Sequence, residues 1–141
     1  MRNVVQYFDL ISKIVEFSGA EESELALDQL DSLRGKIDGA LYFADGSRLE
    51  FTERIAIEKS HPAKRFYRYQ YVRAEAAVFR YDNAPHHPDI ATFPHHKHVG
   101  RKTLPATEPT LSQVLDEIAH LQQAAAQGTT TPARKRRPRQ K

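Results

Sequence analysis

LRGKIDGALYFADGSRLEFTERIAIEKSHPAKRFYRYQYVRAEAAVFRYD, residues 33–82, carries the pattern that decides the fold. Leu33, Ile37, Leu41 and Phe43 share one parity, and Asp45-Gly46 supplies a tight turn. Leu49, Phe51, Ile55 and Ile57 then alternate with Glu50, Thr52, Arg54 and Glu58. Side chains alternate between faces along a strand, so this is a β-hairpin with one apolar face. After a turn around Ser60-His61-Pro62, Tyr67, Tyr69 and Tyr71 fall on one face, with Phe66, Arg68, Gln70 and Val72 on the other. A turn near Ala74-Glu75 returns the chain through Ala77, Phe79 and Tyr81. Sequential strands joined by short turns imply an antiparallel meander.

Working outward, Val4, Phe8, Ile11 and Val15, supported by Leu10 and Ile14, recur at helical spacing after Asn3 and stop at Ser18-Gly19. That spacing predicts a helix over 3–17. Leu25 and Leu27 fit a short strand. On the other side, Pro85, Pro88, Pro94, Pro105 and Pro109 exclude helix from 82–109 and confine any strand to the residues around His95 to Val99. A loop this long in a compact domain is usually functional or disordered, and its aromatic and proline content argues for the former. Thr110-Leu-Ser-Gln reads as a capping box before Leu111, Val114, Leu115, Ile118 and Leu121, predicting a helix over 111–125. The expected architecture is α+β: an antiparallel meander sheet of four to six strands with the N- and C-terminal helices packed on one face. Residues 1–127 form a single domain. Residues 128–141 have no apolar anchor and are expected to be a disordered basic tail.

The formal charge of +3 conceals an asymmetry, because six of the 21 basic residues lie in the last eight positions. The remaining 15 face 18 acidic residues, so the body is net negative and the high pI does not argue for a nucleic-acid-binding body. The tail, KRRPRQK, suits salt-dependent nucleic-acid contact or simple solubility. Cysteine is absent, which removes disulfides, thiolate metal sites and a cysteine nucleophile and fits a reducing compartment. No apolar run approaches the ~18 residues of a membrane span, and the N-terminus lacks a leader pattern. A cytoplasmic protein with no membrane partner is expected.

Five of the seven histidines lie in FRYDNAPHHPDIATFPHHKHVG, residues 79–100. Histidine exchanges protons near neutral pH and ligates metals, and either use rewards imidazoles held together by stiff backbone. This string, together with Leu33-Arg34-Gly35-Lys36, Phe43-Ala44-Asp45-Gly46-Ser47 and Tyr67-Arg68-Tyr69-Gln70-Tyr71, resembles the TumE-type toxin family of prokaryotic toxin–antitoxin systems over about residues 5–120. Gln70 stands where that family tends to have histidine. The resemblance implies a toxin with a cognate antitoxin, often a helix-turn-helix protein, and leaves the reaction to be argued from the residues.

Three readings compete. In metal-independent RNA cleavage, His86, His87, His95, His96 and His98 supply acid and base, and Arg68, Arg80 or Lys97 binds phosphate. In a metal-dependent hydrolase or nucleotidyl-modifying enzyme, His96 and His98 lie on one side of an extended chain and Asp82 or Asp89 completes the set. In a non-catalytic toxin that sequesters a cellular target, the imidazoles only fix the loop. The flanking cations Arg80, Lys97 and Arg101 disfavour a divalent metal, so the first reading is adopted: an endoribonuclease acting on RNA, with no cofactor and no metal. His61 and His120 have no such context and are read as structural. Asp82-Asn83 is read as a turn opener, the tyrosine stripe as core before base stacking, and Gly35 and Gly39 as points of close packing or a bulge.

Overall fold

The computed structural model describes residues 1–135, with side chains through Gln127. The basic tail expected over 128–141 therefore falls outside the described side chains, and residues 136–141 lie outside the described chain altogether. Helix α1 spans Val4–Glu16, and Asn3 caps it by accepting the Gln6 N–H at 3.0 Å. Helix α2 spans Leu111–Lys135. Its capping box closes as expected: Thr110 Oγ1 accepts from Gln113 N at 3.1 Å, and Gln113 Oε1 accepts from Thr110 N at 2.9 Å.

Between the helices run β1 (Glu22–Gln29), β2 (Arg34–Tyr42), β3 (Arg48–Glu58), β4 (His61–Arg73), β5 (Ala76–Asp82), β6 (His96–Val99) and β7 (Lys102–Pro105). All neighbours are antiparallel and their spatial order is their chain order, an open meander. Seven strands exceed the four to six expected. Strand β1, the short strand expected from Leu25 and Leu27, runs to eight residues that are almost all exposed, with Leu25 partly buried against the core. Strand β7 ends on Pro105, where a missing N–H costs nothing at a sheet edge. The two-residue turns Lys59-Ser60 and Ala74-Glu75 hold φ between 51° and 65°, the left-handed geometry that short hairpins require.

Both helices pack on one face of the sheet. Val4, Phe8, Ile11 and Val15 from α1 and Leu111, Val114 and Ile118 from α2 meet Ile37, Leu41, Leu49, Phe51 and Phe79. Tyr67, Tyr69 and Tyr71 are fully buried on this face, so the tyrosine stripe is core. A Cβ on Gly39 would lie 2.3 Å from the Phe51 ring and one on Gly35 2.6 Å from Phe8, which is why side chains are missing there. At the centre of this face Glu53 is fully buried. Its carboxylate accepts from Tyr7 Oη at 2.5 Å and from Tyr69 Oη, with Lys64 Nζ 3.6 Å away. Lys64 also donates to the Pro109 carbonyl at 2.7 Å. Burial raises both tyrosine hydroxyls far above the usual phenol range, and Glu53 adds to it. Burial pulls Lys64 down against the opposing pull of Glu53.

Among the described residues no helix covers the other face. Register aligns Thr52, Arg68, Asp82 and His96 across β3–β6 in one row, and Glu50, Gln70, Arg80 and His98 in the next. Partners directly opposite in a sheet share a face, so these polar side chains lie together on the open side. Among the described residues no helix is long and apolar enough to cross a membrane.

Candidate functional site

The site forms where β5 and β6 meet the loop between them. Asp82, the last residue of β5, is 4 % exposed and gathers its surroundings. Its Oδ1 accepts from His96 Nε2 at 2.8 Å and from the Ala84 N–H at 3.1 Å, and its Oδ2 accepts from Arg80 Nε at 2.9 Å. His98 Nε2 stands 3.6 Å from Oδ2, beyond hydrogen-bond range. A side chain read from sequence chiefly as a turn opener does open that turn, and it is also the anchor of the histidines.

His96 is buried, and its Nδ1 lies 2.9 Å from the Pro94 carbonyl. A carbonyl only accepts, so Nδ1 carries a proton and Nε2 is the atom turned toward the centre. His98 lies two residues on, on the same face. Its Nδ1 is 3.4 Å from Thr103 Oγ1, while its Nε2 is buried without a hydrogen-bond partner. Burial first, and then Arg80, pushes the His98 ring below the ordinary histidine range, against the pull of Asp82. A ring so placed is neutral near neutral pH.

His87 arrives from the loop. The Asp82–Ala84 turn is followed by His86 N to Ala84 O at 2.8 Å, Ile90 N to His87 O at 3.2 Å and Phe93 N to Ile90 O at 3.0 Å. Thr92 Oγ1 then ties the loop to the residue after β7 by accepting the Ala106 N–H at 2.9 Å. These successive turns fold the loop back over the sheet, and the His87 ring centroid lies 5.0 Å from that of His96 and 5.7 Å from that of His98. His96 and His98 are 4.7 Å apart on the same measure. One nitrogen from each of the three falls within 4.8 Å of the other two, so His87, His96 and His98 could hold a metal ion.

The other expected site residues lie elsewhere. His95 stacks on Tyr67, centroids 5.8 Å apart, with its Nδ1 2.8 Å from Tyr67 Oη, and so anchors the loop to the core. His86 is exposed and makes no ring contact among the described residues. Strand alternation turns Lys97 to the helix face, where Nζ donates to Glu117 at 2.6 Å and lies 4.8 Å from the centre of the Tyr81 ring. Burial alone would lower that ammonium, but the Glu117 and Tyr81 contacts outweigh it and hold it above its ordinary value. Arg80 is on the open face, committed to Asp82. Arg68, in the row of Asp82 and His96, is exposed and has no ion-pair partner among the described residues.

The family model for toxin TumE matches residues 8–122. The chain belongs to the TumE toxin family. The match runs from Phe8 within α1 to Gln122 within α2 and takes in the whole sheet and the histidine loop, so the site described above lies entirely inside the TumE domain. No curated protein and no solved structure matches the chain. As a TumE toxin it is the toxin component of a toxin–antitoxin pair, and it has an antitoxin for a partner.

Proposed function

We propose that this TumE toxin is an endoribonuclease whose centre is Asp82, His87, His96 and His98, with Arg68 as the phosphate-binding side chain. The observation that carries this is the register. It sets two histidines, a buried aspartate and two arginines side by side on the solvent-facing side of the sheet, and the loop adds a third imidazole from above. An extended RNA strand can lie on such a face, as it could not on the helix-covered one.

In the metal-free version, the 2′-oxygen of the substrate attacks the adjacent phosphorus and loses its proton to Nε2 of the neutral His98 imidazole, which the substrate reaches when the His87 side chain beside it swings aside. The bond to the 5′-oxygen breaks, and His87, half-exposed and flanking the same space, returns a proton to that oxygen. Arg68 balances the charge on the phosphate oxygens. Asp82 and His96 are too buried to meet substrate and act by positioning. The second version replaces imidazole base chemistry with a bound cation, and the convergence of the three rings favours it. Both cut the same bond class at the same place. A helix-turn-helix antitoxin, paired with this toxin in the cytoplasm, is the partner the family resemblance suggests.

Inducing the toxin and examining total RNA before growth stops tests the reading. Discrete cleavage products are expected to appear ahead of the arrest. Arrest with intact RNA would instead make the protein a sequestering toxin without catalysis.

A further inference from the structure

From the open face we infer that His87, His96 and His98, with Asp82 beside them, form a binding site for one divalent transition-metal ion of the zinc type. The sequence argues against a metal through the flanking cations, and the fold removes most of that objection. Lys97 is carried by alternation to the opposite face and neutralised by Glu117, and Arg80 is neutralised by Asp82. Of these two cations, the one that stays on the open face is paired to the Asp82 carboxylate at 2.9 Å.

Two of the three ligands are set up in the way metal-binding imidazoles usually are. A ligating histidine commonly donates its second N–H to a carbonyl or hydroxyl, which fixes the tautomer and points the free nitrogen at the ion. His96 does this with Pro94 O at 2.9 Å and His98, more loosely, with Thr103 Oγ1 at 3.4 Å. The Nε2 of His96 is turned to Asp82, and that of His98 is buried with no hydrogen-bond partner, an arrangement that costs stability unless something binds there. His96 Nε2 lies 2.8 Å from Asp82 Oδ1, so an ion bound by this nitrogen meets the carboxylate at the same place.

The spacing fits with a small contraction. Metal–nitrogen bonds of about 2.1 Å in tetrahedral geometry place ligand atoms ~3.4 Å apart, whereas these nitrogens lie within 4.8 Å. Closure by about an ångström falls mostly on His87, which sits on a loop and is half-exposed. Three imidazoles select zinc, nickel, cobalt or copper over magnesium or calcium, which prefer oxygen ligands. Such an ion supplies a Lewis acid for a phosphate oxygen. That use rests on the nuclease reading, and the binding itself does not.

The experiment is a titration of untagged, chelator-stripped protein with cobalt(II) chloride, read by the visible absorption of low-coordinate cobalt. Wild type is expected to take up one equivalent. His87→Ala and His98→Ala, whose rings are partly exposed, should each weaken uptake by more than about tenfold with an unchanged thermal transition, and His61→Ala and His120→Ala should titrate as wild type. Absence of the absorption, or its full retention in the His87→Ala/His98→Ala double variant, overturns the site. The two readings separate cleanly. Cobalt uptake without RNA cleavage keeps the site and discards the nuclease, whereas full-rate cleavage by protein that takes up no cobalt keeps the nuclease and discards the site.

Discussion

Induced expression of the His98→Ala toxin is expected to leave a culture growing as if uninduced, at a soluble level equal to that of the wild type. A side chain that acts on the reacting atoms, as base or as ligand, contributes roughly 10²–10⁴-fold to the rate, enough to turn arrest into growth. The cost to the fold is small. The His98 side chain is 24 % exposed, its Nε2 has no hydrogen bond to lose, and its one polar contact is the 3.4 Å approach to Thr103. Arg68→Ala should give a milder relief, because the exposed guanidinium holds phosphate without touching the bond that breaks. Full arrest by His98→Ala would remove the open face from the mechanism.

Glu53→Ala is expected to lower stability by about 3–5 kcal/mol, a fall in Tm on the order of 10–20 °C. The carboxylate is fully buried and is the shared acceptor for Tyr7 and Tyr69, with Lys64 beside it. Its removal takes the shared acceptor from two hydroxyls and the counter-charge from an ammonium inside the core. Burial already lowers the Lys64 pKa against the pull of Glu53, so the variant loses the main group that keeps the ammonium charged. Lys64→Met alone should also destabilise, by leaving the carboxylate unpaired. The double variant Glu53→Ala/Lys64→Met should lose clearly less than the sum of the two, the mark of a coupled pair. Additive losses in thermal unfolding would mean that each side chain acts alone.

Most of the sheet could be read from residues 33–82, because one face is buried and alternation there is strict. The two edges were less legible. Leu25 and Leu27 mark β1 but not its eight-residue length, because most of that strand is exposed, and β7 is four residues ending in proline. Glu53 is legible as a charge at a position sharing parity with Phe51 and Ile55, the signature of a buried partner network. For the site, the sequence supplied the residue types and the side-by-side placing of His96 and His98, which needs only an extended backbone. It did not separate His95 and Lys97 from them, although a strand through His96 turns both odd-numbered neighbours to the other face. The approach of His87 depends on a chain of loop hydrogen bonds that no periodicity encodes, and the central role of Asp82 depends on the same fold-back.

The most direct test of a ribonucleolytic centre on the open face is the cleavage rate of a single-stranded RNA by purified wild-type and His98→Ala protein, with and without added zinc. Wild type should cleave it, and His98→Ala should be slower by roughly 10²-fold or more at equal thermal stability. Equal rates for the two proteins, or an RNA left intact by wild-type protein that still arrests growth, would contradict the account.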